Sequence, residues 1–293
     1  GSSNVGSLSN AGSVSFAAPE AGVMKTLLVQ GDYVGDNGRL VFNTALGGDA
    51  SATDHLVVQG STSGNTAVVV NNAGGAGGQT ANGIQLIRVD GASDGVFALD
   101  GRVVAGAYEY GLHQGGVTTP NDGDWYLRSQ YVPTPTPTPI PTPTPEPAPT
   151  PGPAEEVVPT PSPAYVPLYR PEPAAYLANQ AAAVGMFEHS MHDRMGEPNL
   201  GMRDDDGRTS AVWVRVVRNQ RDGTTGQGQL DAGTDNSVLQ IGGEIARWND
   251  DSRFHLGLMG GTGRANSLVT SDLVDYRAKG KVIGYNLGVY GTW

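Results

Sequence analysis

Seventeen of the chain's twenty prolines fall between Pro133 and Pro173, and all seventeen occupy odd-numbered positions. The rhythm that begins Pro133-Thr134-Pro135-Thr136-Pro137 continues to Pro153. Proline has no amide hydrogen to donate and fixes φ, so this stretch suits neither a helix nor a central strand. It is expected to run as solvated polyproline II, disordered with respect to any core. At about 3.1 Å per residue the regular part would reach roughly 65 Å. Two unlike bodies separated by a stiff spacer are therefore expected. Because the prolines share one parity, no two stand three apart, and the segment offers no PxxP ligand.

The 293 residues suffice for two domains of ordinary size. Only 16% are charged while 43 are glycine, a balance that favours β-structure with many turns over helical bundles. No segment is basic. Residues 1–132 carry 5 basic and 11 acidic side chains, and residues 176–293 carry 12 and 14, so nucleic-acid binding has no electrostatic footprint. Cysteine is absent. A chain threaded unfolded through a narrow opening cannot carry cross-links, although plain lack of cysteine explains the composition equally well. Gly1-Ser2-Ser3 shows neither the basic start nor the apolar stretch of a signal peptide. No run of 18 apolar residues occurs, so any membrane crossing must use strands.

Before the prolines, short β-branched or aromatic clusters recur: Val14-Ser15-Phe16, Leu27-Leu28-Val29, Leu40-Val41-Phe42, Leu56-Val57-Val58 and Val68-Val69-Val70. Gly, Asn and Asp turns separate them without a strict period. The texture fits stacked β-coils or a sandwich. Trp125 and Tyr126 supply an aromatic pair suited to covering the last open edge.

After the prolines the period changes. Apolar residues at Leu177, Ala181, Val184, Phe187, Met191 and Met195 mark one face of a helix expected over about 174–196. Its other face carries Asn179, Gln180, Glu188, His189, His192 and Asp193, which lipid would not tolerate. Four alternating strands of about nine to eleven residues are expected from about 209 onward. Their more apolar faces carry Val212, Val214 and Val216; Leu239, Ile241 and Ile245; Phe254, Leu256 and Leu258; and Ile283, Tyr285, Leu287 and Val289. Trp213, Arg215, Gln240 and Glu244 fall on the opposite, glycine-rich face. That length and alternation suit a tilted crossing of a bilayer; a soluble sandwich has the same two faces.

The order of these pieces resembles the type Va autotransporters of Gram-negative bacteria. The likeness is carried by the Gly/Asn-rich region ending Asp124-Trp125-Tyr126-Leu127, then Tyr176-Leu177-Ala178-Asn179-Gln180-Ala181-Ala182-Ala183, His192-Asp193-Arg194-Met195-Gly196-Glu197 and Ala211-Val212-Trp213-Val214-Arg215. The resemblance implies a mostly β chain. Residues 1–132 would be the C-terminal end of a pertactin-like, right-handed parallel β-helix passenger that acts as autochaperone, and 133–173 the linker. Residues 174–293 would be a pore helix and the first antiparallel strands of an outer-membrane β-barrel. It further implies that Asn179, Gln180, His189, His192, Asp193, Trp213, Arg215, Gln240 and Glu244 face the pore, while the apolar set faces lipid. The implied partners are outer-membrane lipid, the barrel-assembly machinery, periplasmic chaperones, and host or bacterial surface ligands bound through the passenger. Four strands cannot close a barrel, so the sequence is expected to be a fragment or truncated product.

No catalytic constellation is found: neither a Gly-x-Ser-x-Gly elbow nor a phosphate loop occurs. Neither an enzyme activity nor a cofactor is expected. His189 and His192 beside Glu188 read as a solvated helix face rather than a metal site. Asp204-Asp205-Asp206-Gly207 reads as a turn, because its ligand spacing does not fit a calcium loop. Arg215 and Glu244 share a face and could pair with each other or with helix residues such as Asn179 and Asp193.

Overall fold

The structure is a computed structural model describing residues 1–131, 165–190, 193, 212–249 and 253–292. Residues 132–164, His192, Met195 and the Asp204–Gly207 run lie outside the described residues. The chain divides into two compact units, Gly1–Leu168 and Tyr169–Trp293.

The first unit contains β1 (Ser2–Val5), β2 (Leu8–Asn10), β3 (Ser13–Ser15), β4 (Thr26–Val29), β5 (Tyr33–Thr44), β6 (His55–Val58), β7 (Thr62–Asn72), β8 (Ile84–Val89), β9 (Val96–Leu99), β10 (Val103–Ala105), β11 (Tyr108–Gln114), β12 (Trp125–Arg128), β13 (Gln130–Tyr131) and β14 (Val166–Pro167). β1, β4, β6 and β8 stack in parallel as one wall; β2 and β3, β5, β7 and β9 form another. The result is a β-solenoid of about four turns. Like residues stack on like: Val5, Val29, Val58 and Val89 are successive register partners. Each coil buries the side chains of the one before it, so the coils share one continuous core.

A corner shows how the coils are held. Gly31 donates its amide to Gly6 O, Gly60 to Gly31 O and Gly91 to Gly60 O. These glycines are 25, then 29, then 31 residues apart, so the repeat is regular in space and irregular in sequence. Glycine is required at Gly64, whose φ is +73° and whose Cβ would stand 2.0 Å from Gly35 O. The core also holds polar groups. Fully buried Tyr33 accepts a hydrogen bond from Asn10 Nδ2 at 3.1 Å and shares another with Thr66 Oγ1 at 2.9 Å. The last parallel strand of the first wall, β8, is covered by antiparallel β12, which carries Trp125 opposite Ile87. β11 and β10 extend the sheet past it, so the aromatic pair lies inside the sheet rather than at its final edge.

Beyond the prolines the chain returns to the first unit. β14 runs antiparallel to β13, with Tyr131 opposite Val166 and Gln130 opposite Pro167. The expected spacer of 133–173 is corrected in this respect: Tyr165–Leu168, inside its expected bounds, belongs to the first unit.

The second unit contains α1 (Glu172–Gly185), then β15 (Val212–Thr225), β16 (Leu230–Asn249), β17 (Arg253–Ser271) and β18 (Arg277–Thr292), an antiparallel sheet in chain order. The helix is shorter than expected. It ends at Gly185, and Ser190 N donates to the Asp193 carboxylate instead of continuing the ladder. The strands, of 14 to 20 residues, are longer than expected. The polar stretches between the expected strands continue the pairing, as at Arg221–Thr234 and Asp222–Gly233.

Candidate functional site

The helix covers one face of the four-stranded sheet, here the inner face. Ala175 packs with Leu230, Val269 and Ala278 near the far hairpins, and Met186 packs with Val238 and Ala265 further along. The stripe that touches the sheet is Ala174, Ala175, Asn179, Ala182 and Met186. Of the expected apolar stripe, Phe187 joins it, whereas Leu177 and Val184 are exposed at 65% and 70%. The wall explains the exchange. A Cβ at Gly280 would lie 2.2 Å from Asn179 Oδ1, and one at Gly263 would lie 2.5 Å from Met186 Sδ. A glycine floor admits a flat row of alanines at close approach. Gln180 lies on the exposed side of α1.

Further along the inner face the glycines carry aromatic lids. Trp213 lies over Gly242 and Tyr290 over Gly257, and Trp213 Nε1 donates to Tyr290 Oη at 3.1 Å. The His189 ring stands 6.1 Å from that of Trp213. Arg215 donates from Nη1 to Gln240 Oε1 at 2.8 Å, with Gln240 almost fully buried. Glu244 shares this face, opposite Gly257. Asn179 lies against Gly280 at the helix end of the wall, while Asp193 lies close enough to Arg215 to interact with it electrostatically. Asp193 accepts hydrogen bonds from Ser190 N and Oγ. Tyr290 and Met186 were not among the residues singled out in the sequence.

The outer face is different. Val212, Val214, Val216, Leu239, Ile241, Ile245, Leu258, Ile283, Tyr285, Leu287 and Val289 are all exposed, and Phe254 and Leu256 are half-buried on the same side. Register brings them into one band: Val214 faces Ile241 and Val216 faces Leu239, while Val289 faces Leu258. A bulge between Glu244 and Ala246 shifts the parity of β16, which places Trp248 outward against Phe254, with ring centroids 5.4 Å apart. From Leu239 to Trp248 the band measures about 30 Å along the strand, or about 23 Å high at a tilt near 40°. Beyond Val216 and Ile283 the outward residues turn polar, with Arg218, Asp222, Asp235, Arg264, Lys279 and Lys281. So large an exposed apolar area requires a partner or a lipid phase.

In the solenoid, Tyr126 donates its hydroxyl to Asp122 Oδ2 at 2.7 Å, and burial together with that bond pushes its phenol up to about 12. Among the described residues no group of three His, Cys, Asp or Glu side chains is placed to hold a metal. No helix among them is long and apolar enough to cross a membrane.

Two family models match: the autochaperone domain type 1 over residues 3–112 and the autotransporter β-domain over residues 212–293. The uncharacterized protein YdeU of Escherichia coli (strain K12) is 42% identical over 91% of this chain and 55% of its own length. The autotransporter adhesin AIDA-I of Escherichia coli is 32% identical over 91% of this chain and 18% of its own. The adhesin BmaC autotransporter of Brucella suis is 52% identical over 36% of this chain and 3% of its own. The chain thus spans about half, or much less, of the length of these relatives. Residues 3–112 are thus an autochaperone domain and residues 212–293 an autotransporter β-domain, the two parts that mark a classical autotransporter.

Proposed function

We propose that the outer band of the four long strands lies in outer-membrane lipid while the inner face lines a wet pore holding α1. The carrying observation is that alternate residues of every strand meet different surroundings: apolar and exposed outside, and inside a mixture of glycines, polar groups and the apolar side chains that α1 buries. Lipid tolerates such an outer face and no open sheet edge, so the sheet works as part of a closed barrel. Tyr169 N donates to Gln229 Oε1 at the β15–β16 turn, and the helix N-terminus lies at the same end. The passenger precedes that point in the chain, so this end faces the cell exterior and the polar strand extensions project there. Leu177 and Val184 then face the space enclosed by the remaining barrel wall.

Passenger export in this scheme uses neither ATP nor a cofactor; free energy comes from folding outside, each coil burying apolar surface on its neighbour. Residues 1–132 seed that folding, 133–164 link, and 174–293 anchor. Delivery by periplasmic chaperones and the barrel-assembly machinery fits an outer-membrane strand protein. A second reading, a stalk and anchor for a non-catalytic adhesin that binds host or bacterial surfaces, is favoured by the two relatives named adhesins.

Spin labels placed singly at positions 283 to 290 of the full-length protein in bilayers test the first reading. Oxygen accessibility should peak at odd positions and a water-soluble relaxant at even ones. Equal access of both quenchers at both sets would reject it.

A further inference from the structure

The strand pair Tyr131–Val166 joins residues on either side of the whole proline-rich segment. The receiving edge is held by side-chain contacts that do not involve β14. Ser129 is fully buried, its amide donating to Thr80 Oγ1 at 3.0 Å and its hydroxyl accepting from Thr80 N at 2.8 Å. Gln130 Nε2 donates to Thr80 O. Arg102 grips buried Glu109 with two donors, at 3.3 and 2.7 Å, which fixes the start of β11. Between these supports Leu168 is held from both sides: its amide donates to Ser129 O at 2.9 Å, and its carbonyl accepts from Glu109 N at 3.0 Å. Pro167 is buried, and its missing N–H forgoes no ladder bond at that position.

We propose that Ser129–Tyr131 and Glu109 form a strand-addition site whose ligand is the chain's own Tyr165–Leu168. The recognition is β-augmentation: main-chain bonds hold an extended segment against a preformed edge. Thr80, Ser129 and Glu109 come from distant parts of the sequence, so the site exists only once the solenoid end has folded. Docking therefore reports completed folding, and it fixes the chain at Leu168, four residues before α1 begins. The proline-rich segment becomes a loop closed at its base rather than a spacer. This consequence rests on the export reading above, whereas the docking itself does not.

The test uses the full-length protein carrying Tyr131→Cys and Val166→Cys, the chain having no cysteine of its own. After mild oxidation, a protease cut in an engineered site between residues 139 and 144 should leave the two fragments joined until a reductant is added. Leu168→Pro, which removes the donor to Ser129, should lower that yield severalfold, and urea unfolding should do the same. Deleting residues 144–153 should leave the yield unchanged or higher, since shorter loops close more readily. A low yield in the folded protein, an equal yield in urea or in Leu168→Pro, or disulfides only between molecules would each overturn the proposal. Because the assay reads pairing and not membrane insertion, it can fail while the spin-label pattern holds, and the reverse.

Discussion

Trp213 and Tyr290 meet across two intervening strands: an indole N–H on the first long strand reaches a phenol oxygen on the last. The rings can do this because Gly242 and Gly257 leave the inner wall bare beneath them. A Cβ at Gly242 would stand 2.4 Å from the indole, and one at Gly257 would stand 2.3 Å from the phenol ring. The wall's shape is therefore set by where side chains are missing.

Gly242→Ala and Gly257→Ala should each cost about 1–3 kcal/mol by forcing a ring aside. Tyr290→Phe removes only the acceptor and should cost about 0.5–1.5 kcal/mol. Urea unfolding of the complete β-domain in bilayers measures all three. Alanines tolerated at both glycines would contradict the overlay.

Val289 and Leu268 both expose apolar surface on the outer face, yet they stand at different heights. Val289 faces Leu258 inside the apolar band, while Leu268 faces Lys279 among the polar extensions. Arginine at Val289 should cost about 2–4 kcal/mol of folding free energy in bilayers, and at Leu268 about 0–1 kcal/mol. Equal penalties would move the boundary of the lipid zone.

Tyr126 gives the solenoid a dependence on alkali. Its phenol is raised to about 12, first by burial and then by the bond to Asp122. A raised acid is stabilising below its unfolded value near 10, and the contribution is lost as pH rises through the folded value. The solenoid should lose about 2–3 kcal/mol between pH 10 and 12. Tyr126→Phe should flatten the decline, which hydrogen exchange at the β6 and β8 amides would follow. A wild-type profile as flat as that of the variant would place the phenol in water.

Much of this architecture was legible because the long strands separate two environments and so alternate strictly from Val212 to Val216 and from Ile283 to Val289. The alternation hides its own exceptions. The bulge after Glu244 reverses parity, so Trp248 joins the outer band without a local signal. The solenoid could not be told from a sandwich because its Gly6–Gly31–Gly60–Gly91 corner repeats in space while loops of unequal length intervene. Strand β14 is two residues long, one of them proline, and its partner is remote in sequence; no periodic pattern encodes such a pairing. The helix misled for a different reason. Hydropathy favoured Leu177 and Val184, but a floor of glycines accepts small side chains at short range.

That floor yields the most specific test. Asn179 Oδ1 occupies the space a Cβ at Gly280 would need. Because the nearest atoms belong to a short side chain on a packed helix, a larger residue at 280 must push α1 off the sheet rather than bend one long side chain away. Gly280→Val should therefore expose Ala175 and Ala182, making cysteines placed there react faster with a water-soluble maleimide. Asn179→Ala empties the contested space, so the double variant Asn179→Ala/Gly280→Ala should recover most of what Gly280→Ala alone loses. A coupling of about 0.5–3 kcal/mol in that cycle is expected for residues in direct contact. Strict additivity would mean that helix and wall do not touch at this point, and the small-residue stripe would no longer account for how α1 is seated.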